Sequence, residues 1–197
     1  MINFIEWLAS TSGSTALRES LYMYPWIESA HVLFIAIFFG TLLFVDLRLT
    51  GYGFKSLSIS QMNAKILPLT IIGFVLMSIT GLLLFYALPI RNYQNLFFRI
   101  KLFLMFVAGL NAWYFHRTMN RQSQTWDKNS FIPFKMRFSA SLSLLLWGLV
   151  IISGRMIAYN WFDCDKQPQS ELVNFLISCT VDPVSYTHLR AHETGIN

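Results

Sequence analysis

Four long apolar runs decide what this chain can become. They cover about 25–47, 66–90, 97–116 and 138–159, and each approaches or exceeds the roughly 20 residues that carry a helix across a bilayer. Pro25 suits the first turn of the first run, and the second, from Ile66 to Ile90, holds no charged residue. Only 13% of the 197 residues are charged and 54% are hydrophobic, against roughly 25% charged in ordinary globular proteins. Too few charges remain to cover a water-facing shell, so lipid must solvate much of the surface. The expected fold is all-α, a four-transmembrane-helix bundle over residues 25–159.

Lysine and arginine in the connections orient it. Eight lie on one side: Arg48, Lys55 and Lys65 after the first run, and Arg117, Arg121, Lys128, Lys135 and Arg137 after the third. The opposite connections carry three, Arg18, Arg91 and Lys166. The richer side is expected in the cytoplasm, with the N-terminus and C-terminus extracytoplasmic. The formal charge of +5 resides in loops between apolar runs, not along one polar face, which excludes a nucleic-acid surface. Trp26, Trp113, Tyr114, Tyr159 and Trp161 fall near the ends of the runs, as an aromatic belt requires.

Residues 1–24 lack the basic start of a signal peptide. Ile2, Ile5, Trp7 and Leu8 suggest a short interfacial helix, Thr11–Ser14 reads as a turn, and Leu17, Leu21 and Tyr24 then recur at helical spacing. Residues 160–183 form an extracytoplasmic tail. Cys164 and Cys179 fit no zinc or haem-attachment spacing and are expected to pair there, since disulfides persist in oxidising compartments. Residues 184–197, with His188 and His192, resemble a translated adaptor sequence and are set aside as non-native.

Ionisable residues inside a bilayer cost about 2.5–3.5 kcal/mol each at the helix centre, so they point to function. At about 100° per residue, Glu28 and His31 share one face of the first helix, and Lys101, Asn111 and His116 share an arc of the third. Arg99 points away from Lys101 and is expected to snorkel. Ser141, Gly148 and Arg155 form a small-residue stripe on the fourth helix, and Gly73, Met77 and Gly81 one on the second. Two clusters result. The outer one gathers Glu28, His31, Lys101 and Arg155 as a ligand or cofactor site; the inner one gathers Asp46, Arg48, His116 and Arg117, the natural anchor of a helix end beside a basic loop. In the outer cluster a packing role, with Glu28 neutralising Arg155 or Lys101, is an equally direct reading.

Glu28-x-x-His31 also matches half of a carboxylate-bridged metal site, but such bundles supply the pair twice. Haem b needs axial ligands, and His31 and His116 lie in opposite leaflets, which leaves a one-histidine site or His31 from each protomer of a homodimer. No nucleotide loop, catalytic triad, HExxH or CxxC occurs, so the sequence assigns no enzymatic activity.

Ser14–Ser20, Pro25-Trp-Ile-Glu28-x-x-His31, Asp46-Leu-Arg48-Leu-x-Gly51, Gly81, Phe98-x-x-Lys101, Asn111 and Gly154-Arg155 together resemble an uncharacterised bacterial family of small four-helix integral membrane proteins, a domain of unknown function. The resemblance covers roughly residues 5–160. It implies residence in the bacterial inner membrane and a four-helix plan, and it carries no assigned activity. Membrane cytochromes of the b type and copper-resistance membrane proteins are similar at the level of fold only. The leading expectation is a membrane module that binds a redox cofactor (haem b or another), a metal ion or a quinone in its outer half, with a membrane redox partner. Its rivals are a proton- or ion-coupled transporter, disfavoured by the lack of an inverted repeat, and an accessory subunit whose polar clusters are structural.

Overall fold

The computed structural model describes residues 2–52, 59–129, 133–159, 161–162, 164 and 169–179, and these contain helices and no strand. Two short helices open the chain, α1 (Ile2–Ser10) and α2 (Ser12–Glu19), followed by the long α3 (Met23–Thr50) and α4 (Ile59–Ala87). A five-residue helix, α5 (Pro89–Tyr93), leads into α6 (Leu96–Asn129) and α7 (Phe134–Met156), and α8 (Glu171–Ile177) closes the described chain. Four stretches are long and apolar enough to cross a membrane: Met23–Thr50, Ala64–Ala87, Leu96–Thr118 and Phe134–Tyr159, with mean hydropathy of 2.2, 2.3, 1.5 and 1.8. A helix is the form in which a lone segment satisfies its own backbone in lipid, and side chains such as Leu82, Phe103, Phe106 and Ile152 stay exposed on the outside of the bundle. The chain is thus built as a multi-pass membrane protein.

The boundaries shift from the expected ones for identifiable reasons. α4 stops at Ala87 because Pro89 cannot continue it and instead starts α5. Asn95, fully buried, then caps α6 by accepting from the Phe98 amide at 3.1 Å. α6 runs on to Asn129, well past its apolar part, because nothing between Arg117 and Asn129 breaks a helix. The turn expected at Thr11–Ser14 is a helix start: Thr11 is the N-cap of α2, its hydroxyl accepting from the Ser14 amide. Ser14, completely buried, donates to the Tyr86 carbonyl at 2.7 Å, and the Thr11 and Tyr86 hydroxyls meet at 2.8 Å. These bonds seat α2 on the end of α4. At the same end of the bundle Cys164 and Cys179 are disulfide-bonded with Cα atoms 5.5 Å apart, and Arg99 donates to the Leu176 carbonyl and the Ser178 hydroxyl, which holds α8 against α6. The tail beyond Cys179, including the adaptor-like residues 184–197, lies outside the described residues.

α3 packs most extensively on α4, then α6 on α7 and α3 on α7. Gly73 permits the first of these: a Cβ there would sit 3.0 Å from the Phe38 amide nitrogen and 3.1 Å from its Cα. The middle of the bundle is apolar, built of Phe38, Met77, Ala108, Leu146, Trp147 and Val150. Phe38 and Trp147 meet edge to face with centroids 4.6 Å apart, a favoured aromatic geometry. A second apolar cluster, Val45, Leu49, Met136 and Ala140, fills the end remote from α1, α2 and α8.

Candidate functional site

Between the apolar middle and the end that carries α1, α2 and α8, three helices deliver polar groups to one place. His31 enters from α3, about 12 Å along the helix from Met23. Its Nδ1 lies 2.9 Å from the Thr80 hydroxyl of α4. That hydroxyl directs its own proton to the Leu76 and Met77 carbonyls, at 2.8 and 3.0 Å, so it has only lone pairs left for the imidazole. Nδ1–H is therefore the donor, and in the neutral ring the remaining lone pair is on Nε2. Gly81 makes room for the ring: a Cβ there would lie 3.2 Å from His31 Cε1.

Lys101 arrives from α6, about 7.5 Å from its start. Its ammonium lies against α7, 3.4 Å from where a Cβ of Gly154 would be, and near enough to act electrostatically on His31. The side chain is partly buried. Among the described residues no carboxylate comes within salt-bridge distance of it. A cation held inside a membrane bundle without a counter-charge is costly, and that makes this pair the chemically loaded part of the molecule.

The other two outer residues stand at the rim. Glu28 is exposed, where it and Arg91 both act electrostatically on Tyr24. Arg155 is exposed too, with its guanidinium over the Tyr159 ring at 5.4 Å. The Ser141–Gly148–Arg155 stripe faces outward, and nothing lies within 4 Å of a Cβ at Gly148. Gly73, Met77 and Gly81, by contrast, face α3. No family model, curated protein or solved structure matches the chain.

That geometry favours an anion or a hydrogen-bond acceptor over a metal ion. Among the described residues no three His, Cys, Asp or Glu side chains gather to hold one, and an ammonium beside His31 repels a cation.

The four inner residues differ in burial. Asp46 is 4% exposed and accepts from the Ser143 hydroxyl of α7. Arg117 stacks over the Trp113 ring at 4.1 Å, His116 is exposed, and Arg48 is half-buried. Arg137 is more than a loop charge: it donates through Nε to the Thr50 carbonyl at 3.2 Å, where a cation complements the negative end of α3. Gly51 ends that helix at φ +86°, a conformation open to glycine. Asn111 exchanges bonds with Ser139, donating to its carbonyl at 3.0 Å and accepting from its hydroxyl at 2.8 Å.

The sequence reading missed Thr80, Gly154 and Ser143 as site residues. Thr80 carried a usable signal, being a hydroxyl beside Gly81 in an otherwise charge-free span.

Proposed function

We propose that this is a multi-pass protein of the bacterial inner membrane, with both termini extracytoplasmic, whose outer half binds an amphipathic molecule through an anionic or carbonyl head group, of the quinone or acidic-lipid class. The observation that carries this reading is Lys101: an ammonium set into the bundle against Gly154, facing His31, with no acidic partner among the described residues. A bound anionic head would supply the missing counter-charge and a carbonyl head a hydrogen-bond acceptor for the ammonium, and the lone pair at His31 Nε2 would let the site exchange a proton with a quinone-like head. The apolar block of Phe38, Met77, Trp147 and Val150 beneath it supports a closed binding site over a continuous ion path. Orientation and compartment rest on the lysine and arginine distribution and on the family resemblance.

The test is binding of a short-chain benzoquinone and of an anionic phospholipid to the purified protein in detergent, alongside mass spectrometry of its organic extract. Lys101→Met should weaken binding of the true ligand class roughly tenfold or more, since hydrogen bonds to charged groups contribute about 1.5–3 kcal/mol. His116→Ala, remote from the site, should leave binding unchanged. Equal binding by wild type and Lys101→Met for both probes, with nothing retained in the extract, would overturn the reading.

A further inference from the structure

Asp46 is an anomaly in the remote half of the bundle. Its side chain is 4% exposed, and although one carboxyl oxygen accepts from Ser143, Oδ2 is buried without any hydrogen-bond partner. The buried cluster at this end of the bundle is apolar: Val45 and Leu49 from α3 and Met136 and Ala140 from α7, with Ile66 of α4 and Phe115 of α6 packed on it. Buried polar atoms are nearly always paired, so an orphan oxygen here needs an explanation.

The charged groups whose side chains are described at this end do not supply it. Arg48 is two residues from Asp46 on α3, a spacing that does not put side chains face to face. Lys65 of α4, His116 and Arg117 of α6 and Lys135 of α7 are exposed. Arg117 stacks on Trp113, and Arg137 of α7 is engaged with the Thr50 carbonyl. Among the described residues an ionised Asp46 would thus be a buried charge with neither counter-ion nor full solvation, the arrangement proteins avoid by neutralising the group.

Between α6 and α7 runs an open groove of about 290 Å³, lined by Asn111, Tyr114, Phe134, Lys135, Ser139 and Leu142 among others. Ser139, which lines the groove, stands one turn from Ser143 on the same side of α7, and Ser143 bonds the carboxyl. Asp46 is about 6 Å from the last residue of α3, close to the aqueous edge. We propose that Asp46 is a proton-binding site that exchanges with water at the end of the bundle remote from α1, α2 and α8, through the Ser139–Ser143 side of this groove. The step is protonation of a carboxylate to a carboxylic acid, and water supplies and receives the proton.

The test uses wild-type protein in membranes. Dicyclohexylcarbodiimide adds a protonated carboxyl across one C=N bond, and acyl transfer to nitrogen then leaves a stable N-acylurea with nothing lost. At neutral pH the peptide containing Asp46 should carry that adduct, read by mass spectrometry. The infrared spectrum should also show the C=O stretch of a protonated carboxyl that moves with isotope-labelled aspartate, shifts on transfer to heavy water, and disappears in Asp46→Asn. The isotope shift in wild type keeps the test valid if Asp46→Asn fails to fold. An unmodified Asp46 peptide together with no isotope-sensitive band would overturn the assignment. A band indifferent to heavy water in the folded protein would overturn the exchange route.

Discussion

His31 donates its Nδ1–H to Thr80 across the α3–α4 interface at 2.9 Å, and Thr80 is able to accept because its own proton is committed to the backbone one turn away. A histidine on a membrane helix is thereby given one tautomer by a neutral, uncharged neighbour. Thr80→Val keeps the shape and removes the hydroxyl, leaving the ring its bond to the Met77 backbone. It should destabilise the protein by about 0.5–1.5 kcal/mol, the net worth of one hydrogen bond, and nitrogen NMR of the His31 ring should show a changed tautomer ratio. An unchanged tautomer and unchanged thermal unfolding in detergent would show that the bond does not set the ring.

Two glycines in the membrane should respond in opposite directions to the same methyl group. At Gly73 an added Cβ meets Phe38 backbone at 3.0–3.1 Å, which cannot give way without moving α3 from α4. Gly73→Ala should cost about 1–3 kcal/mol through overpacking. Nothing lies within 4 Å at Gly148, so Gly148→Ala should be neutral or stabilise by up to about 1 kcal/mol through helix propensity. Denaturation of both variants in one detergent decides it, and equal effects would contradict the packing described.

The number and placement of the spanning helices were legible because they depend on local properties, run length and the absence of charge. The site was legible in part. His31 and Lys101 could be selected because ionisable residues in apolar runs are conspicuous, and their faces follow from 100° per residue. Which partners meet them depends on how helices rotate against one another, and that is settled by small residues. Gly81 admits the His31 ring, and Gly154 receives Lys101, whereas Arg155 one residue on faces outward. Glu28, on the same face of α3 as His31 in projection, sits a turn nearer the rim and stays exposed. Rotation and depth are tertiary quantities, and single-helix geometry does not contain them.

Orientation gives a third prediction, from the eight-to-three division of basic residues between the two sides. Lys135 and Glu171 are both exposed, at opposite ends of the bundle. With the native cysteines bonded to each other, single cysteines at these positions report sidedness. In intact cells Glu171→Cys should react with an impermeant maleimide, and Lys135→Cys should react only after permeabilisation. Labelling of Lys135→Cys in intact cells would reverse the topology.

The last prediction concerns what holds α8. The disulfide closes a loop across a sequence separation of 15, worth about 3 kcal/mol in the chain-entropy model, and Arg99 adds bonds to the Leu176 carbonyl and the Ser178 hydroxyl. Beyond these, α8 buries only Ile177 fully, while Leu172 and Phe175 remain 69% and 82% exposed. A helix of seven residues is too short to persist in water alone, so its fold depends on the bond and on Arg99. Cys179→Ser should make the region around Glu171–Ile177 cleavable by added protease while the four long helices stay intact. Arg99→Met should have the same but weaker effect, and the pair should be additive or worse, since both variants loosen one element. The readout is the pattern of fragments after limited proteolysis in detergent, scored against unfolding of the helical bundle by circular dichroism. A Cys179→Ser protein as resistant as wild type would show that packing against α6, and not the covalent link, keeps α8 in place.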